Sequence, residues 1–255
     1  MTTRVALLLD IASTYKIAGM ALGSKTFPQE DSGSALPAPI RISSGAFAVG
    51  STGPVWLEIL LVYGLLEAVL WTPRSFWHSV LIVLEVGSVA WFSLQRYRLE
   101  ELGLVWPSRA GTARILALGA LVAMAILAVA ILTGHPVPAN PNWPKFQNLW
   151  PYVIWAVAQQ FLLQSFFFLR AESQIGSRGA VWASTLLFTI AHLPNMVLTG
   201  LTLLGALFFT EAFRRYRSIY PLGIVHALLG MAIAYSFPDS VMHHMRVGLS
   251  YWQFR

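Results

Sequence analysis

Seven apolar runs, the sixth of them short, dominate the sequence between residues 54 and 237. A lipid interior offers the backbone no hydrogen-bond partners, so apolar segments of about 20 residues cross it as α-helices. The runs lie at residues 54–72, 76–95, 113–133, 149–169, 180–198, 200–213 and 219–237. The sequence therefore predicts an all-α fold, a polytopic membrane bundle of about seven transmembrane helices.

The composition is typical of a chain embedded in the bilayer. Of 255 residues, 56% are hydrophobic and only 11% are charged, whereas soluble domains carry roughly 25% charged residues. The net charge of +6 would suggest a nucleic-acid partner for a soluble domain, but here we interpret the basic residues as topology signals and expect no nucleic acid. The chain has no Cys, which excludes disulfides and thiolate metal sites.

The chain divides into a short N-terminal part and the bundle. Residues 1–48 are expected to form a cytoplasmic or interfacial segment followed by a linker, because residues 24–45 are rich in Ser, Pro and Gly. Asp10 and Lys16 interrupt the first apolar stretch, which argues against a signal peptide. Residues 49–255 are expected to form the transmembrane bundle.

The distribution of Lys and Arg predicts the orientation. With seven spans, 13 of the 17 basic residues fall on one side of the membrane, including Arg96 and Arg170, and 4 fall on the other. Cytoplasmic loops carry the excess of basic residues, so the N-terminus is expected inside and the C-terminus outside. The bacterial inner (plasma) membrane is the expected location. Aromatic residues such as Trp150 and Tyr152 are expected at the headgroup level.

Polar residues inside three of the spans are the candidate functional groups. The fourth span contains Gln159, Gln160 and Gln164, the fifth contains His192, and the seventh contains His226. Gln160 and Gln164 are four residues apart and share a helix face. Such groups are costly in a membrane and usually mark function, although hydrogen bonding between helices is an equally available role. Together they could meet in one wet cavity.

The order and spacing of these residues carry a resemblance. Gln159-Gln160-Phe-Leu-Leu-Gln164 is followed by Phe188-Thr-Ile-Ala-His192 and then by His226-Ala-Leu-Leu-Gly230. Residues 149–235 resemble the core of the CAAX-protease and bacteriocin-processing (CPBP) family of intramembrane glutamic endopeptidases. That family carries Glu-Glu-x-x-x-Arg, Phe-x-x-x-His and His-x-x-x-Asn on successive spans. The second motif is intact here, whereas the first and third diverge.

The resemblance implies a hydrolase that attacks a peptide bond with water activated by a Glu. By analogy, the catalytic residues are His192, His226, Gln159 and Gln160, supported by Gln164, Phe188 and Gly230. A Gln holds water but does not usefully accept its proton. His192 is therefore the best substitute base, because the reference pKa of histidine lies near neutrality. Glu85, in the second span, is a poorer candidate because the sequence does not locate it relative to the site.

Three functional hypotheses remain open at this stage. The first is a divergent intramembrane endopeptidase that cleaves a membrane-associated protein or peptide. The second is a catalytically silenced family member that binds or chaperones membrane segments. The third is a small transporter, although no internal repeat supports it. Neither a cofactor nor a metal is expected, because two His on separate spans make a poor metal site without carboxylates or thiolates.

Overall fold

The computed structural model describes residues 55–134 and 149–253. Within these ranges the chain is helical and has no strand, so the predicted all-α fold class is confirmed. The helices are α1 (Val55–Trp71), α2 (Phe76–Arg96), α3 (Arg109–Leu132), α4 (Leu149–Gln160), a π-helix (Phe161–Phe168), α5 (Leu169–Ile190), α6 (Met196–Tyr216), α7 (Tyr220–Ser236), α8 (Asp239–Met242) and α9 (Leu249–Trp252).

Side-chain caps mark the starts of three long helices. The hydroxyls of Ser75 and Ser108 accept hydrogen bonds from backbone amides at the first turns of α2 and α3. The side chain of Asn195 accepts from the amide of Leu198 at the start of α6. Each cap satisfies one of the amides that a helix leaves unpaired at its N-terminus. Local sequence thus fixes where these helices begin.

Helix α7 packs against α3, α4 and α6. Glycines make these contacts close. A β-carbon at Gly119 would collide with Val225, and one at Gly223 would collide with Val157. Small residues let helix backbones approach each other in this way in membrane bundles. Helix α5 packs against α6, and α1 packs against α2.

The outer surface of the bundle is apolar, as expected of a chain in contact with lipid. Large side chains such as Leu60, Trp91, Leu121 and Ile131 are exposed. By length and apolar composition, four of the described helical segments can cross a membrane: 76–96, 109–132, 150–190 and 196–216. A bent pair covering 220–245 raises the number to five. These features support an integral membrane protein, but the predicted count of seven is not confirmed.

The difference in count has identifiable causes. Helix α1 has 17 residues, slightly fewer than the roughly 20 that a span needs. The predicted fourth and fifth spans form one continuous stretch, 150–190, which Gly176 interrupts with a backbone φ of 73°. The predicted fifth span also extends too far, because α5 ends at Ile190 and a turn with a cis Leu193-Pro194 bond precedes α6.

Arg170 is the main exception to the expected placement of basic residues. Its side chain is fully buried, and its Nε donates to Glu58 Oε2 over 2.8 Å. Arg96 Nη2 donates to the other carboxylate oxygen of Glu58, also over 2.8 Å. Two residues that the sequence analysis counted as loop charges therefore hold a carboxylate between α1, α2 and α5.

The N-terminal part, residues 1–48, and the proline-rich loop after residue 134 lie outside the described residues. The predicted domain boundary at residues 48–49 therefore stays a prediction.

Candidate active site

A cavity of about 1340 Å³ lies between the helices. Five of the seven predicted site residues line it, and they come from three helices and the turn that follows α5. These five are Gln159, Phe188, His192, His226 and Gly230. The rest of the lining is mostly apolar, contributed by α1, α2, α3 and α6 among others. An apolar cavity with a few converging polar groups is the usual form of a binding or catalytic site.

His192 follows the last turn of α5, and its own helix orients it. Its Nδ1 lies 2.7 Å from the carbonyl oxygen of Phe188, four residues earlier. A carbonyl oxygen only accepts hydrogen bonds, so Nδ1 carries the proton. In the neutral imidazole, Nε2 is then left with its lone pair and can accept a proton from another molecule.

Two hydrogen-bonded glutamines fix His226, on α7, in the opposite tautomer to that of His192. Gln164 Nε2 donates to Gln160 Oε1 over 3.2 Å, and Gln160 Nε2 lies 3.1 Å from His226 Nδ1. Because the carbonyl end of Gln160 is occupied by Gln164, its amide nitrogen is the donor and His226 Nδ1 the acceptor. The neutral ring then carries its proton on Nε2. The hydrogen-bond network therefore assigns His226 as a donor and His192 as an acceptor.

The ring of Phe188 packs near both histidines. The Phe188 ring centroid is 4.8 Å from that of His192 and 6.0 Å from that of His226. Phe209 on α6 covers another side of His226, with ring centroids 5.2 Å apart. Packing on these rings limits the rotation of both imidazoles, so the site is preorganised by side chains with little freedom of their own.

The π-helix starts directly after Gln160 and contains Gln164. Its wider turn is stabilised from outside, because the hydroxyl of Ser165 donates to the carbonyl of Leu102 over 2.6 Å. Gly103 then accepts from the amide of Ile219 over 3.0 Å, which ties the same turn to the start of α7. Short π-helical segments occur frequently at functional sites. Here the segment sets the positions of the glutamines relative to α7.

The neighbouring Gln159 and Gln160 have different surroundings. Gln160 and Gln164 are completely buried, and neither is among the residues that line the cavity. Gln159 is partly exposed and lines it. Gln159 and both histidines thus line the same cavity. Gln160 and Gln164 do not reach the cavity, and they contact the site only through their hydrogen bonds to each other and to His226.

Tyr152 and Glu85 also line the cavity, although the sequence did not assign either of them to the site. Tyr152, expected at the headgroup level, lines the cavity, and its hydroxyl oxygen occupies the space where a β-carbon of residue 230 would be. Glu85 on α2 is 9% exposed and lines the same cavity. The only sequence signal for Tyr152 was its position on the helix of the three glutamines. Within the described ranges, no three His, Cys, Asp or Glu side chains come together to hold a metal ion.

The turn that carries His192 is held by the C-terminal segment. Asn195 Nδ2 donates to the carbonyls of Met242 and Arg246, over 2.8 and 3.3 Å. The amide of Gly248 donates to the carbonyl of Leu193 over 2.8 Å. These bonds connect residues 193–195 to the segment after α7. His192 is therefore held by α5 before it and by the C-terminal segment after it.

The fold and site together define a helical membrane bundle with an internal cavity that holds two oriented histidines. Comparison with known proteins agrees with this class. Residues 141–232 match the family described as Type II CAAX prenyl endopeptidase Rce1-like. The resemblance to CPBP intramembrane proteases is therefore confirmed over this segment, which contains all seven predicted site residues. No curated protein and no solved structure gives a significant match.

Proposed function

We propose that the protein is a divergent intramembrane endopeptidase in which the two cavity histidines carry the chemistry. The observation that supports this most directly is their complementary hydrogen bonding. His192 keeps a free acceptor nitrogen because Phe188 O takes its Nδ1 proton, and His226 keeps a donor because Gln160 occupies its Nδ1. Hydrolysis of an amide requires one group that accepts a proton and one that stabilises an oxyanion.

The proposed reaction uses only water and these groups. The oxygen of a water molecule attacks the peptide carbonyl carbon while His192 Nε2 accepts a water proton. The carbonyl oxygen becomes an oxyanion, to which His226 Nε2 donates a hydrogen bond. When the tetrahedral intermediate collapses, the carbon–nitrogen bond breaks and the imidazolium of His192 returns the proton to the departing amine. The products are a carboxylic acid and an amine.

The neutral glutamines have a supporting part in this scheme. Gln159 can hold the attacking water through its amide, but it does not act as the base. Gln160 and Gln164 keep His226 in the donor tautomer. A carboxylate and an arginine at those two positions would form an ion pair, whereas two amides satisfy each other without leaving a charge in the membrane. Because both charged positions are amides here, the site carries no net charge from this pair.

The cavity suggests the substrate class. Its size of about 1340 Å³ and its mostly apolar lining suit a segment of a membrane-associated protein or peptide better than a small polar metabolite. The exposed apolar exterior gives such a segment a route through the lipid phase. Partners are therefore a membrane-associated peptide or protein and the bilayer.

The orientation is part of the proposal. In the predicted seven-span arrangement, leaving out Arg96 and Arg170, which pair with the buried Glu58, reduces the thirteen basic residues on the cytoplasmic side to eleven, against four outside. The bias therefore persists, with the N-terminus inside and the C-terminus outside. We propose the bacterial inner membrane as the location.

A silenced binding protein is the second candidate, and the absence of a carboxylate at Gln159 and Gln160 favours it. The two candidates separate in reconstituted vesicles that contain the full chain and a library of membrane-anchored peptides. We expect wild type to cleave a subset of peptides and His192→Ala to cleave none. Retention of the same peptides by wild type and His192→Ala, without cleavage by either, supports the binding protein and contradicts the peptidase.

A further inference from the structure

We infer that Tyr152 is a second oxyanion donor in this cavity, acting beside His226. The inference rests on the proposed peptidase function and assigns a catalytic role to a residue outside the three motifs. It starts from a close contact between α4 and α7. The hydroxyl oxygen of Tyr152 lies where the β-carbon of residue 230 would be, and the ring carbon that bears the hydroxyl is 3.1 Å from that position.

Gly230 makes this contact possible. Any side chain at residue 230 would displace the phenol, so the absence of a β-carbon is what lets the hydroxyl reach the wall of α7. Gly230 is buried and lines the cavity, as does Tyr152. A polar group from a neighbouring helix therefore fills the space that a side chain of α7 would otherwise occupy.

The contact places the hydroxyl near His226. Residues 226 and 230 are four apart on α7, and such pairs lie on the same helix face with β-carbons about 6 Å apart. The Tyr152 hydroxyl is thus about one helical turn from the β-carbon of His226. Two donors at this spacing on one cavity wall can both reach a single oxygen between them.

The chemistry of the phenol suits the role. A tyrosine hydroxyl donates a hydrogen bond without carrying a charge, so it can remain in an apolar cavity at little cost. A second donor adds to the stabilisation of the developing charge, because each preorganised donor contributes when water is excluded. His226 supplies one donor, and Tyr152 supplies the second from a different helix.

The test compares Tyr152→Phe with wild type in reconstituted vesicles, using the peptide that wild type cleaves fastest. This change removes only the hydroxyl. We expect kcat to fall by about 10²-fold, the loss typical for one oxyanion donor, with KM changed less than twofold. Tyr97→Phe is the matched control: Tyr97 is a half-buried tyrosine that does not line the cavity, and its hydroxyl has no hydrogen-bond partner among the described residues.

A double-mutant cycle tests the contact itself. Gly230→Ala should lower kcat in the wild-type background, because the new β-carbon displaces the hydroxyl. In the Tyr152→Phe background the further loss should be much smaller, since no hydroxyl remains to be displaced and the nearest ring carbon is 3.1 Å from the new β-carbon. An equal loss in both backgrounds would contradict the contact as the source of the effect.

The outcomes separate the inference from the proposed function. If wild type and Tyr152→Phe cleave with the same kcat, the role of Tyr152 is wrong and the peptidase stands. If wild type cleaves nothing in the library, the peptidase is wrong, and Tyr152 loses the reaction that it was assigned. A fall in kcat for Tyr152→Phe at unchanged KM, with Tyr97→Phe active, supports both.

Discussion

At the scale of single residues, the site depends on which ring nitrogen of each histidine carries the proton. The same residue type has two roles because its neighbours differ: a backbone carbonyl for His192 and a glutamine amide for His226. The reach from His192 back to Phe188 is local and readable from the sequence. The bond from Gln160 to His226 spans 66 residues, so only the folded bundle reveals it.

The first prediction distinguishes the two candidate bases, His192 and Glu85. We expect His192→Ala to lower the rate of peptide cleavage by at least about 10²-fold, the lower range for loss of a general base. Glu85→Gln should lower it by less than about tenfold, because a neutral amide of the same size still fills that part of the cavity. Initial rates in reconstituted vesicles measure both. A larger loss of rate for Glu85→Gln than for His192→Ala would instead indicate Glu85 as the general base.

The second prediction concerns the glutamine pair. Gln159→Glu introduces a carboxylate at the cavity wall, so we expect the cleavage rate to rise, but by less than the about 10²-fold that a general base typically contributes, because His192 already accepts the proton. Gln160→Glu is the matched control, since the same change falls on a side chain that is completely buried. It removes the amide that donates to His226 and should lower the rate. A gain from Gln160→Glu alone would contradict the assigned positions.

At the scale of helices, two features hold the elements that carry the site. One is the close approach of α4 and α7 at Gly223. The other is the buried group of Glu58, Arg96 and Arg170, which joins α1 and α2 to the start of α5. The Arg170 guanidinium also lies over the Phe166 ring, 3.8 Å from its centroid. Neither feature was predicted, because each depends on which helices become neighbours.

The third prediction follows from the buried ion pair. Glu58→Ala leaves the fully buried Arg170 without its carboxylate, which should lower the free energy of unfolding by about 3–5 kcal/mol. Denaturant titration in mixed micelles measures the change. Glu67→Ala is the control on the same helix. Glu67 accepts an exposed hydrogen bond from Trp71 and lies beside Tyr63, but among the described residues it forms no ion pair, so its loss should cost about 1 kcal/mol.

The fourth prediction concerns the contact between α4 and α7. A β-carbon at Gly223 would lie 2.9 Å from the backbone Cα of Val157, and backbone cannot move aside as a flexible side chain can. We expect Gly223→Ala to lower the free energy of unfolding by about 1–3 kcal/mol, the usual cost of overpacking. Gly87→Ala serves as the comparison, because nothing lies within 4 Å of its β-carbon position. Equal stability of the two variants would argue against close helix packing at Gly223.

At the scale of the whole molecule, the sequence predicted the apolar helices well and their connections poorly. Each of the seven predicted runs overlaps helical structure among the described residues, because hydrophobicity largely determines which segments avoid water. The break at Gly176 and the end of α5 at Ile190 were missed, since a glycine with positive φ and the turn after α5 are local backbone features that apolarity does not report. Among the described residues, four or five segments can therefore cross a membrane by length and composition, fewer than the seven predicted.

Some residues of the site were predictable from the sequence, and others were not. Motif order brought out Gln159, His192 and His226, and these three do line one cavity. Tyr152 and Glu85 were not assigned to it, because a tyrosine near a helix end and a glutamate in a span have several ordinary roles. Their assignment needs the cavity, which is formed by six or more segments that are distant in sequence.

The measurement that tests the central claim most directly is cleavage in water enriched in ¹⁸O. Reconstituted wild type, incubated with the peptide library, should release products whose new carboxyl group contains one ¹⁸O atom by mass spectrometry. His192→Ala should release none. Labelled product from wild type alone would establish hydrolysis that depends on His192. The absence of any new carboxyl terminus with wild type would contradict the peptidase and leave a membrane-segment binding protein.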